Sequence, residues 1–202
     1  MKKKERLFKV LGMGRMPHHG GTGTWPEPGT WIEVDGELVP CKHGLHLCRE
    51  QDLASWLGPE IWEAEYEGER VDDKDKSVVR KARLIRKLET WNERTARLYA
   101  CDCAERVLPN YEKRHPDDKR PRVAIETARR YADGKATKKA LAAARAAAWA
   151  VARAAASDAA WDAAWDAARD AARDAAWDAA WEAERRWQTK RLMAILYPKG
   201  GE

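Results

Sequence analysis

SDAA-WDAA-WDAA-RDAA-RDAA-WDAA-WEAE, residues Ser157 to Glu184, is a four-residue repeat in which Trp or Arg returns, an acid follows, and Ala fills the remainder. Ala is the strongest helix former and nothing in the repeat breaks a helix, so the stretch predicts a helix. A step of four residues advances the Trp/Arg stripe by roughly 40° each time. Trp161 and Trp165 are near neighbours on that stripe, and Trp177 and Trp181 lie about 160° further round. Each aromatic pair therefore needs its own neighbouring element. Asp166 and Asp170 stand three residues before Arg169 and Arg173, a spacing at which helical ion pairs form.

Two readings of the stripe stay open. In the first, Trp fills the space between helices and Ala lets backbones approach closely. In the second, Trp161, Trp165, Trp177 and Trp181 stack on the ring of a nucleotide while Arg169 and Arg173 hold its phosphates. An acid at every fourth position excludes a membrane span.

The chain of 202 residues is 44% apolar and 35% charged, the composition of a folded domain or two rather than of a disordered chain. The formal charge of +5 conceals segregation: Glu105 to Arg145 holds 12 basic and 6 acidic residues, and Ser157 to Glu184 holds 2 basic and 8 acidic. Blocks of opposite sign neutralise each other within one bundle, which weakens the nucleic-acid reading that a pI near 9.0 invites. A second basic cluster, Arg80, Lys81, Arg83, Arg86 and Lys87, keeps a nucleic-acid-associated role open. The basic start is followed by too short an apolar run for a signal peptide. With four cysteines and no export signal, a reducing cytoplasm is the expected compartment. Scarce Asn and Gln beside dense charge hint at a thermophilic source.

Before the helical part, Leu7 to Val10 reads as a strand and Gly12 to Gly29 as a long Gly, Pro and His loop. Within that loop His18 to Gly23 is either a mobile segment or a phosphate-cradling nest, although its spacing matches neither the P-loop nor the dinucleotide fingerprint. Thr30 to Pro40 alternates around Asp35-Gly36 and predicts a type I′ hairpin. CKHGLHLC follows. It places Cys41, His43, His46 and Cys48 within one short segment, four candidate zinc ligands if Gly44 folds the segment on itself. The alternative is a turn in which Leu45, Leu47 and Cys48 pack inward and the histidines bond locally.

Glu50 to Leu57 predicts a short helix, and Ile61 to Glu67 a strand whose Glu63, Glu65 and Glu67 share one face. Ser77 to Leu88 reads as a turn of helix and then a strand, with Lys and Arg placed to face those acids. From Thr90 onward the pattern is helical: Trp91 to Leu108 ending at Pro109, Arg122 to Ala132 stopping at Gly134, then Thr137 to Ala156. In the first of these, Cys101 and Cys103 are two apart and do not share a helix face.

The fold expectation is α+β: a small β-rich domain over residues 1–89, with the hairpin and CKHGLHLC, then an Ala/Trp-rich all-α helical bundle over 90–202. The first part, with Cys41, Gly44 and His46 in C-x-x-G-x-H spacing, resembles a phage and bacterial domain of unknown function. The segment RLYACDCAERVLP, Arg97 to Pro109, with Arg120-Pro121-Arg122 and the Ala-rich tail, resembles a helical family of immunity proteins. That second resemblance implies a protein that neutralises a toxin by binding it.

No serine lies in a nucleophile-elbow motif, and no acid, base or nucleophile has a spacing that demands catalysis. The expected function is therefore a non-catalytic binding protein, an immunity or counter-defence protein with a protein partner. A nucleotide-sequestering protein and a metal-binding or nucleic-acid-associated accessory protein are the alternatives. An oligomer is compatible with either class.

Overall fold

The computed structural model describes residues 5–147 and 171–198. They divide into two compact units, Met1–Asn92 with Arg185–Glu202, and Glu93–Glu184. The first unit takes the β-rich domain expected from sequence and adds the last turns of the C-terminal helix.

Five strands build the first unit: β1 Leu7–Leu11, β2 Ile32–Glu33, β3 Leu45–Arg49, β4 Glu60–Asp72 and β5 Ser77–Lys87. β1 lies antiparallel between β3 and β4, and β5 pairs with both β3 and β4, so these four strands close into a small barrel. Closure leaves each of them without a free edge over the paired stretch. β2 adds to the remainder of β5, with Ile32 opposite Ala82 and Glu33 opposite Lys81.

The core follows from alternation along the strands. Leu7 and Leu11 of β1, Leu47 of β3, Trp62 and Ala64 of β4, and Val79, Ala82 and Leu84 of β5 form one buried cluster together with Trp25. Phe8 and Ile61 are fully buried as well. Side chains of this size each contribute roughly 1.5–3 kcal/mol when removed from water.

The acidic strand and the basic strand meet as their alternation implied. Glu63 faces Arg86, Glu65 faces Arg83, and Glu67 faces Lys81 in the β4–β5 register, and each pair is ionically bonded. Glu69 with Arg80 and Glu60 with Lys87 extend the ladder. The basic cluster of Arg80 to Lys87 is thus engaged within the barrel. Ser77 to Lys87 is strand throughout, without the expected first turn of helix.

The hairpin expected over Thr30 to Pro40 is absent. Val34 donates its amide to the Arg80 carbonyl, so the backbone of this segment is already committed to β5. The Asp35-Gly36 dipeptide makes a bend instead, and Val39 forms an isolated bridge with His43. A long-range pairing partner outcompeted the local turn signal. Glu50 to Leu57 shortens to a single 3₁₀ turn at Leu53–Ser55.

The second unit contains α1 Glu93–Arg114 and α2 Arg120–Ala132, followed by helical residues 138–147, here α3. α4, Ala171–Leu196, begins in this unit and ends in the first. α1 and α2 lie antiparallel, held by Arg94 to Asp133, Arg129 to Asp102 and Glu105, and Arg122 to Glu112. Arg97 stacks over the Tyr131 ring at 4.8 Å.

α1 does not stop at Pro109 but carries it inside the helix. Proline removes one backbone donor and crowds the preceding turn. The turn beyond it is fixed from α2's side, by Tyr111 Oη donating to Asp118 at 2.8 Å and by the two-pronged Arg122–Glu112 pair. α2 ends as expected: the Gly134 amide reaches the Tyr131 carbonyl and the Lys135 amide the Arg130 carbonyl. Gly134 has φ +71°, the left-handed geometry of this helix-stop motif. α3 is capped by Thr137, whose hydroxyl accepts the Ala140 amide.

Candidate functional site

In β1 the sequence LFKVL places Lys9 on the same side as Leu7 and Leu11, toward the barrel core. Its ammonium donates to the His46 carbonyl at 3.0 Å and lies 5.0 Å from the centre of the Trp25 ring. Burial draws the Lys9 pKa down to about 8, against the weaker pull of the Cys48 sulfur. No carboxylate among the described residues forms an ion pair with it, whereas Lys76, Lys81 and Lys87 of the same barrel each have one.

Beside Lys9 lies a cavity of about 360 Å³. Trp25, Leu45 and Leu47 supply apolar wall, His18 to Thr22 form another side, and Trp56 and Lys76 complete the lining. Asp and Glu are missing from that lining, which includes Lys9, Lys42 and Lys76. The loop is seated by specific contacts: His19 Nε2 bonds the Trp56 carbonyl at 2.7 Å, and its ring meets Trp56 edge-on at 5.2 Å. A side chain at Gly58 would collide with His18, its Cβ lying 2.5 Å from His18 Cδ2.

At the other end of the loop, Glu60 receives the amides of Gly14 at 3.1 Å and Arg15 at 3.3 Å, the Trp62 indole at 3.0 Å, and Lys87. Burial alone would raise its pKa, but these donors outweigh that and hold the carboxyl below the usual range. The Gly12 to Gly29 stretch is thus a tethered loop with a 3₁₀ turn at Met13–Arg15.

CKHGLHLC does not fold into a four-ligand cage. His43 Nε2 turns to the Asp35 carbonyl, and His46 Nε2 accepts the Cys41 amide at 3.0 Å. Cys48 is buried opposite Phe8, and burial pushes its thiol up to about 12. No group of three His, Cys, Asp or Glu side chains stands within reach of one metal ion among the described residues. His46 and Cys48, two apart in β3, share a strand face, but Cys41, at φ +63°, and His43 belong to the turn before it, where the His43 ring is bonded to the Asp35 carbonyl. His46 is drawn below its ordinary pKa by burial and then by Lys9, which keeps the imidazole neutral.

Of the Trp/Arg stripe, Trp161, Trp165 and Arg169 lie outside the described residues. Arg173, Trp177 and Trp181 stand on the α4 backbone, and their side chains also lie outside the description. The sequence reading passed over Lys9, Trp25 and Trp56. The signal for Lys9 was present, a cation at the centre of an otherwise apolar strand.

The second unit presents a different surface. Val107 on α1 and Val123 on α2 are half exposed among charged neighbours. Among the described residues no helix is long and apolar enough to cross a membrane.

No curated protein and no solved structure matches this chain. Residues 86–172, the stretch that contains α1, α2 and α3, are similar to the family described as Imm-5 like putative immunity protein.

Proposed function

We propose that this chain is an immunity-type protein that neutralises a protein toxin by occupying it, with the second unit as the part that binds. The observation carrying this reading is the family match over residues 86–172, which falls largely on the compact unit Glu93–Glu184. Val107 and Val123 are exposed apolar side chains on α1 and α2 of that unit, and they are the positions chosen to test this reading.

The test is growth rescue. A toxin encoded beside this chain is expressed with and without it, and protection is scored together with co-purification. Val107→Asp with Val123→Asp should abolish both while leaving the circular dichroism spectrum intact. A chain that neither protects nor co-purifies with that toxin overturns the proposal.

A further inference from the structure

Lys9 presents an unusual charge balance. Lys9 is half-buried, and an ammonium drawn partly out of water is costly unless a counter-charge accompanies it. Here it has one carbonyl at 3.0 Å and an aromatic face at 5.0 Å, and no ion-paired carboxylate among the described residues. Elsewhere on the barrel the ladder of β4 and β5 supplies an acid opposite each of Arg80, Lys81, Arg83, Arg86 and Lys87.

The adjoining cavity has the properties of a receptor for the missing charge. It measures about 360 Å³, has no Asp or Glu in its lining, and is walled by Trp25 and Trp56. Lys76 at its edge is already neutralised by Asp75 at 2.9 Å and Asp73 at 3.5 Å, which leaves Lys9, the cation between the core residues Leu7 and Leu11 of β1, without an ion-paired acid among the described residues. The His46 imidazole and the Cys48 thiol are both neutral at pH 7 and do not compete for an anion. Gly20 and Gly21 of the lining have φ of +97° and +93°, with open space where a Cβ would stand, so a ligand can approach the backbone there.

We propose that this cavity binds a small organic anion, a carboxylate or phosphate borne on a flat ring, with the Lys9 ammonium as its counter-charge and the two indoles as its walls. The binding of a protein toxin by the second unit is a separate property, and neither depends on the other.

The experiment is saturation-transfer NMR on the full chain with benzoate, phenyl phosphate and neutral benzyl alcohol as probes. Benzoate or phenyl phosphate should show transfer and benzyl alcohol should not, and whichever anion binds identifies the headgroup. Lys9→Met keeps the apolar stem and removes the charge, and should weaken binding about ten-fold or more, the loss expected when a charged hydrogen-bonding partner is removed. A second measurement needs no variant. In wild-type protein, pulse acetylation followed by peptide mass spectrometry should find Lys9 protected by the anion and exposed Lys138, which lies outside the cavity lining, unaffected. Transfer to neither anion, equal transfer to benzyl alcohol, or unchanged acetylation of Lys9 overturns the proposal.

Discussion

The hydroxyl of Tyr197 donates a hydrogen bond to the carboxylate of Glu63, tying together residues 134 apart in the chain. Arg6 lies 4.4 Å from the centre of the same ring, and the Leu196 carbonyl accepts the Thr90 hydroxyl at 2.9 Å. Leu192 and Leu196 are buried beside it. The end of α4 is therefore a structural part of the barrel unit. Tyr197→Phe should lower stability by about 1.5–3 kcal/mol, the range for a hydrogen bond to a charged group. Urea unfolding followed by circular dichroism measures this, and an unshifted midpoint would deny the contact any role.

Acid should loosen this unit before it affects helix content. Arg86 first, and Tyr197 after it, hold Glu63 below its ordinary pKa, and Glu60 and Asp72 are held low by donors that outweigh their burial. Carboxyls with depressed folded-state pKa values stabilise above the unfolded-state value near 4.5 and lose that contribution as pH falls through the folded value. Stability should be level from pH 7 down to about 5 and fall steeply below about 4. Glu60→Gln should flatten the fall in a pH series of urea midpoints.

Lys9 should act in the opposite range. Its folded pKa of about 8 lies below its unfolded value of 10.5, so between them the unfolded chain binds the extra proton and stability rises with pH. Cys48, raised to about 12 from 9.0, opposes this above pH 9. The difference in unfolding free energy between wild type and Lys9→Met should therefore grow in favour of wild type from pH 8 to 9. A difference independent of pH there would show that Lys9 is not desolvated.

Gly44 has φ +123°, and a Cβ there would stand 2.3 Å from Val78 Cγ1 and 3.1 Å from Leu38 Cδ2. Val78 is fully buried and cannot retreat. Gly44→Ala combines backbone strain with overpacking and should cost about 2–4 kcal/mol. A thermal midpoint within a degree or two of wild type would contradict the packing described.

Pro109 sits inside α1 on an exposed face. Pro109→Ala restores a backbone donor and relieves the clash with the preceding turn, and should stabilise the helical unit by about 1–3 kcal/mol. Differential scanning calorimetry is the direct measurement, and a fall in midpoint would mean that the kink itself is required.

What was legible in the sequence was whatever depends on near neighbours. The acids Glu63, Glu65 and Glu67 alternate with the period of a strand and so share a face, and they met Arg86, Arg83 and Lys81 of β5 across a register shift at Glu63/Ala64 that the sequence did not show. Pro121 and Gly134 marked the ends of α2 through their own backbone restrictions. The candidate ligand set was read from proximity in sequence, whereas the bonds its members make, the Cys41 amide to His46 Nε2 and His43 Nε2 to the Asp35 carbonyl, depend on how the turn folds onto β3. Tertiary structure alone decided that Asp35-Gly36 is no hairpin, since β5 competes for the same amides, and that Lys9 is a half-buried cation whose ammonium meets a backbone carbonyl and an indole. Both depend on pairings distant in the chain, which local propensity does not encode: Val34 with Arg80 in one case, and barrel closure through β1, β3, β5 and β4 in the other.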